Sequence, residues 1–186
     1  MAAILPVKQQ QFLKQHTGAC KGRYHIGYLV ILGIAGGEEL KQKALSKVGR
    51  AQYQPDEMYP IGEACAIVVV GAENGITPFR FGSMAAQAFK RSQPDLFRRL
   101  DTSKILDLLA QAYSMETSYG ATVRVLEQSA GRGLIERKNN PMPCEFFRGV
   151  VHGFLEIVGL KPEVKETKCQ WRDDVPACLY EVSWKL

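Results

Sequence analysis

Cys144, Glu166, Cys169 and Cys178 follow one another with 21, 2 and 8 residues between them. Three thiolates and a carboxylate suit a tetrahedral Zn²⁺, and four protein ligands would close the coordination sphere, so such a site would stabilise the fold without doing chemistry. Residues three apart on a regular strand point to opposite faces, so Glu166 and Cys169 can converge only if a bulge or a strand end lies between them. On spacing alone two other readings stay open. Cysteine is among the most often buried residue types, so one reads the three as ordinary small core side chains. A Cys169–Cys178 disulfide is the other, and a reducing compartment would disfavour it. No catalytic set accompanies these residues: no G-x-G-x-x-G follows a strand, and GITPFRFGS (75–83) is not a phosphate loop.

The chain has 186 residues, 46% of them hydrophobic and 23% charged. A single domain (1–186) of this size buries roughly 70% of its unfolded-chain surface, enough for one sizeable core. The net charge of +5 invites a nucleic-acid reading. However, Lys and Arg cluster only in pairs (Lys90 with Arg91, Arg98 with Arg99, Arg137 with Lys138), with no aromatic ladder between them, so nucleic acid is excluded as a partner. Five cysteines, an odd number, behind an N-terminus with no apolar signal region point to a cytoplasmic, reducing setting. The longest apolar run, Ile26 to Ala35, is about half of the ~20 residues a membrane span needs.

The elements that must position the Cys–Glu set divide into a helical half (1–118) and a β-β-α-β-β half (119–186). Residues 37–48 carry good helix formers, with Gly49 placed as a C-terminal cap. The preceding IGYLVILGIA fits either a buried helix or a strand. Residues 60–71 read as a core helix with Pro60 in its first turn. Thr77-Pro78 offers an N-cap and N1 proline for a helix bearing Phe81, Met84, Ala85, Ala88 and Phe89 at helical spacing. Another helix is predicted from Asp101 to Tyr113. In the second half, 120–128 alternates with Ala121, Val123 and Val125 on one face, and LIERK (134–138) is the return strand. An amphipathic helix from Cys144 buries Phe147, Val150, Val151, Phe154 and Val158, while Gly149 and Gly153 let a neighbour approach closely. PEVKETKCQW (162–171) and CLYEVSW (178–184) are the last two strands, the latter with Cys178, Tyr180, Val182 and Trp184 on one face. The predicted fold class is α+β, with helices packed on an antiparallel sheet.

This layout resembles the superfamily that joins haem-nitric-oxide-binding domains with 4-vinyl reductase domains, over nearly the whole chain. The stretch YQPDEMYPIGEACAIVVVGAENGI (53–76) is similar to a helical region of the haem binders. PMPCEFFRGVVHGFLEIVGLKPEVKETKCQW (141–171), with DVPACLYEVSW (174–184), is similar to the closing half of the vinyl reductase type. The Cys144, Glu166, Cys169 and Cys178 set resembles the zinc ligands of that type. The resemblance implies a pocket between helices and sheet for a small apolar or tetrapyrrole-like molecule. Its expected walls are Tyr28, Leu32, Cys65, Val69, Phe81, Met84, Phe89, Leu109, Tyr113, Val123 and Val125, with Arg80, Arg124 and Glu116 as candidate polar anchors.

Conventional haem is disfavoured, because the family's axial histidine would fall on or just before the 101–113 helix, which has none, and its Tyr-x-Ser-x-Arg clamp is absent. Of the three histidines, His152 shares a stripe with Glu145, Arg148 and Glu156 and is expected to face solvent, and His16 and His25 are expected at the surface or in the core. The function expected is a binding module, a sensor, carrier or assembly factor, rather than an enzyme. The alternatives are a helper or enzyme of tetrapyrrole or chlorophyll metabolism or photosystem assembly, and a ligand-free interaction module. A homodimer or partner protein is expected in each case.

Overall fold

The structure is a computed structural model and describes residues 5–15, 18–98, 104–115 and 120–185. In chain order the elements are α1 (Val7–Gln15), β1 (Ala19–Lys21), α2 (Gly22–Val48), β2 (Met58–Pro60), α3 (Ile61–Glu73), α4 (Pro78–Ser92), α5 (Pro94–Arg98) and α6 (Ile105–Met115). They continue with β3 (Thr122–Ser129), β4 (Arg132–Lys138), α7 (Cys144–Ile157), β5 (Lys161–Lys168) and β6 (Cys178–Lys185). The mixed α+β class is as predicted, with helices in the first half and an antiparallel sheet of order β3-β4-β6-β5 in the second.

The ambiguous run 26–35 is helical. It is the first part of α2, which bends at Gly37, where φ is +77° and ψ is 179°, a backbone that L side chains rarely adopt. Thr77 caps α4 as its sequence suggested, its Oγ1 accepting the Arg80 N–H at 3.3 Å with Pro78 at the first helical position. Pro60 precedes α3 as its cap rather than forming its first turn. The helix expected from Asp101 starts at Ile105 among the described residues, and Asp101 lies outside them. The strand expected to run to Trp171 ends at Lys168, and residues 169–171 turn away.

Strand alternation sets the layers. Cys178, Tyr180 and Val182 of β6 and Ile135 and Arg137 of β4 are buried on one face, and α7 and α6 lie against that sheet. α4 then crosses α7, and α2 and α3 pack behind α4. α7 is therefore covered on two sides, and Phe146 and Leu155 are buried as well as the predicted stripe, while Val158 is only half-buried.

At the far end, β1 and β2 pair (Cys20 opposite Tyr59) and pin the start of α2. His25 is fully buried there, its ring stacked on Tyr53 at 4.5 Å, with Nε2 3.4 Å from Pro60 O and Nδ1 3.9 Å from Cys20 Sγ. Burial holds its pKa below the ordinary 6.5, partly offset by the Pro60 and Lys21 carbonyls. Between 6.5 and that lower value the imidazole is neutral in the folded chain and takes up a proton on unfolding. The unfolded state thus binds more protons in that window, and stability is lost as pH falls from 6.5 toward the depressed folded value. Thermal melts between pH 5 and 8 are expected to fall toward acid by up to about 1.4 kcal/mol per pH unit for this one group. His25→Phe is expected to flatten that slope. An unchanged slope in the variant would assign the acid sensitivity to other groups.

Candidate metal centre

The start of α7, the end of β5 and the start of β6 bring Cys144, Glu166, Cys169 and Cys178 together. One donor atom from each lies within 4.8 Å of the others. Cys144 Sγ is 3.7 Å from Cys169 Sγ and 4.0 Å from Cys178 Sγ. A tetrahedron with Zn–S bonds of about 2.3 Å has S···S edges of about 3.8 Å, whereas a disulfide bond is about 2.05 Å. None of the five cysteines, all of them among the described residues, is joined in a disulfide.

The objection that Glu166 and Cys169 must diverge is met by the local structure: β5 slips register against β6 between Glu166 and Lys168, and the strand then ends. In the turn that follows, Asp173 Oδ2 accepts the Cys169 N–H at 2.7 Å and Cys178 Sγ accepts the Gln170 N–H at 3.3 Å. Cys169 and Cys178 are buried and Cys144 is half-buried.

The three thiols titrate as one set. Hydrogen bonds from Cys144 and Cys178 hold the Cys169 pKa far below the usual thiol range, and donating to that thiolate holds Cys144 far above it. Burial raises the Glu166 carboxyl, opposed by its hydrogen bonds. Thiolates and a carboxylate in a water-poor site form a donor set for a divalent soft-to-borderline metal, and these four residues could hold one.

Four residues to which the sequence reading gave no part in the site surround the centre. Tyr180 Oη donates to Glu166 Oε1 at 3.2 Å, and Arg172 Nη2 pairs with Glu166 Oε2. Arg137 is 1% exposed, and its Nη1 donates to Tyr180 Oη at 3.2 Å. Its Nη2 donates to Asn140 O at 2.8 Å and to Met142 O, and its guanidinium lies 5.0 Å from the Phe147 ring centroid. From α1, fully buried Gln9 donates from Nε2 to Pro141 O and Met142 O, both at 2.9 Å. Phe12 packs on Trp171 at 5.1 Å and Lys8 pairs with Asp174, so α1 lies over this end of the sheet. A recess of about 90 Å³ between Gln9, Pro143, Cys144, Glu166, Cys169 and Arg172 opens onto the centre.

The expected pocket walls whose burial is described divide between buried and half-buried positions. Leu32, Cys65, Phe81, Leu109 and Val123 are buried, and Tyr28, Val69, Met84, Phe89 and Val125 are half-buried. Tyr28 packs edge-on to Phe81 at 5.6 Å and to Phe146 at 5.5 Å. Cys65 faces the 140–143 loop, its thiol donating to Pro141 O at 3.4 Å. Tyr113 is in α6. A groove of about 530 Å³ lies on the solvent side of the sheet, lined by Glu127, Arg132, Leu134, Glu163, Lys165 and Glu181. Arg80 is exposed, Arg124 pairs with Glu136 at 2.5 Å on that outer side, and Glu116 lies outside the described residues.

His152 is half-buried against Phe79, at 5.2 Å, rather than solvent-facing, and His16 lies outside the described residues. His25 is enclosed by Tyr53 and Tyr59, and α6 carries no histidine. No helix among the described residues is long and apolar enough to cross a membrane.

This arrangement of helices on an antiparallel sheet is the fold of H-NOX domains. A structure of an H-NOX protein from S. oneidensis in the Fe(II)NO ligation state superposes with a TM-score of 0.73 at 13% identity, covering 89% of this chain and 99% of that one. The Fe(II) unliganded H-NOX protein from K. algicida gives 0.69 at 16% identity, over 89% and 97%. A structure probing heme distortion in the H-NOX family gives 0.70 at 15% identity, over 89% and 95%. The chain belongs to the family described as "Protein of unknown function (DUF2378)", whose model matches residues 80–185, more than half of it. A comparison with curated proteins returned no match.

Proposed function

We propose that the chain is a single-domain small-molecule-binding module, a sensor, carrier or assembly factor, whose C-terminal half is pinned by a structural Zn²⁺ held by Cys144, Glu166, Cys169 and Cys178. The observation that carries this reading is the tetrahedron-sized spacing of the three sulfurs, 3.7 and 4.0 Å from Cys144, at the junction of α7, β5 and β6. Four protein ligands leave no open position, so the ion would stabilise the junction and supply no reaction chemistry. The same Cys-Glu-Cys-Cys set supports kinship with 4-vinyl reductase domains within the H-NOX-like fold.

The binding half of the proposal draws on that fold, whose S. oneidensis and K. algicida examples carry Fe(II). The guest would be apolar or tetrapyrrole-like and would sit where α2, α3, α4 and α6 face α7 and the sheet. The Tyr28, Phe81 and Phe146 cluster occupies part of this region, so a guest has to displace it. Titration with protoporphyrin IX, followed by native mass spectrometry and absorbance, tests the reading. A 1:1 adduct is expected, tightened at least several-fold in Tyr28→Ala because one obstructing ring is removed. No adduct with either protein at micromolar concentrations would overturn tetrapyrrole binding and leave the zinc-pinned fold as a protein-interaction module.

A further inference from the structure

The metal centre has an excess of negative charge that its own atoms do not balance. Three thiolates and one carboxylate around a divalent ion leave two surplus negative charges. Two guanidiniums reach the same carboxylate by separate routes. Arg172 pairs directly with Glu166 Oε2, and Arg137 reaches Glu166 Oε1 through the Tyr180 hydroxyl in two steps of 3.2 Å. We propose that Arg137 and Arg172 are the counter-ions of the metal centre, with Arg137 a positioning residue that acts through Tyr180 to orient Glu166 as the oxygen ligand.

The burial of Arg137 supports this assignment. Taking a guanidinium out of water costs several kcal/mol unless charge and hydrogen bonds nearby compensate it. At 1% exposure Arg137 is fixed by Asn140 O, Asn140 Oδ1, Met142 O and Tyr180 Oη, with Phe147 against its face, and so is held in one orientation beside the thiols. Tyr180 adds direction: a phenol that accepts from Arg137 has its own proton to donate, and that proton points at Glu166. Groups in this position around metal ligands orient them and raise affinity, and their loss typically weakens binding by about 10–100-fold.

The inference rests on the zinc reading above, and its test separates the two. Zinc affinity is measured on the full chain by competition with a chromophoric chelator for wild type, Tyr180→Phe, Arg137→Met, Arg172→Met and the Tyr180/Arg137 double variant. Tyr180→Phe keeps the ring against Phe147, so it also serves if Arg137→Met does not fold. Each single variant is expected to lose about 10–100-fold in affinity. The double variant is expected to lose no more than Arg137→Met alone, because the two residues form one relay. Affinities within twofold of wild type, with a melting temperature lowered equally in zinc and in chelator, would overturn the proposal and leave Arg137 as a clamp on the 140–142 loop. A wild-type chain that takes up no zinc would overturn the metal reading, and this inference with it.

Discussion

Cys178→Ser is expected to abolish most of the stabilisation that zinc confers, lowering the melting temperature of the zinc-saturated protein by about 8–16 °C. A ligand at about a thousand times its Kd adds about 4 kcal/mol to the folded state, and 1 kcal/mol moves a domain of 150–250 residues by about 2–4 °C. Cys178 is the most informative of the three cysteines. It is fully buried, it opens β6, and its sulfur also accepts the Gln170 N–H that shapes the turn carrying Cys169. Serine is nearly isosteric, so packing losses stay small and the difference reports the missing metal bond. In excess chelator the two proteins are expected to melt within a few degrees of each other. Scanning calorimetry in zinc and in chelator makes the comparison, and a wild-type melting temperature indifferent to both contradicts it.

The crossing of α4 and α7 should be the least tolerant place in the fold. A Cβ on Gly149 would lie 1.9 Å from the Phe79 carbonyl oxygen, and one on Gly82 would lie 2.0 Å from that of Phe146. Each glycine thus receives the other helix's main chain, so no side-chain rotamer can relieve an added methyl group and the helices must separate. Overpacking of this kind costs about 1–3 kcal/mol for small additions and more for larger ones. Gly149→Ala is therefore expected to lose about 1–3 kcal/mol, and Gly149→Val more than 3 kcal/mol, by urea denaturation. Gly62→Ala, in α3 with open space around its Cβ position, is the control and is expected to change stability by less than about 1 kcal/mol. Equal losses at positions 62 and 149 would mean that the crossing is looser than these distances.

The ease of reading each element followed from local physics. Thr77-Pro78 announced α4 because a cap and an N1 proline act within one turn. The alternation of Cys178, Tyr180 and Val182 announced β6 because one face of the sheet is buried. α1 went unread because VKQQQFLKQ has no apolar stripe, and its one fully buried side chain is polar Gln9. β1 and β2 are three residues each, too short for any period.

The four clustered residues could be found by type and spacing, but their convergence depends on an irregularity in β5 and a turn at 169–171 that periodicity cannot express. Arg137 was legible in principle, since it stands two residues from buried Ile135 on β4 and therefore shares its inward face. Pocket walls were the hardest to read. Apolar side chains that line a cavity and those that fill it have the same sequence pattern, and the burial of Phe81 against Tyr28 fits both.

The central claim is that these three sulfurs and one carboxylate enclose a zinc ion. X-ray absorption at the zinc edge, on protein carrying one zinc per chain, tests it most directly. A first shell of three sulfurs at about 2.3 Å and one oxygen at about 2.0–2.2 Å is predicted. A shell of nitrogen and oxygen alone, or a purified chain that retains no stoichiometric zinc, would contradict it.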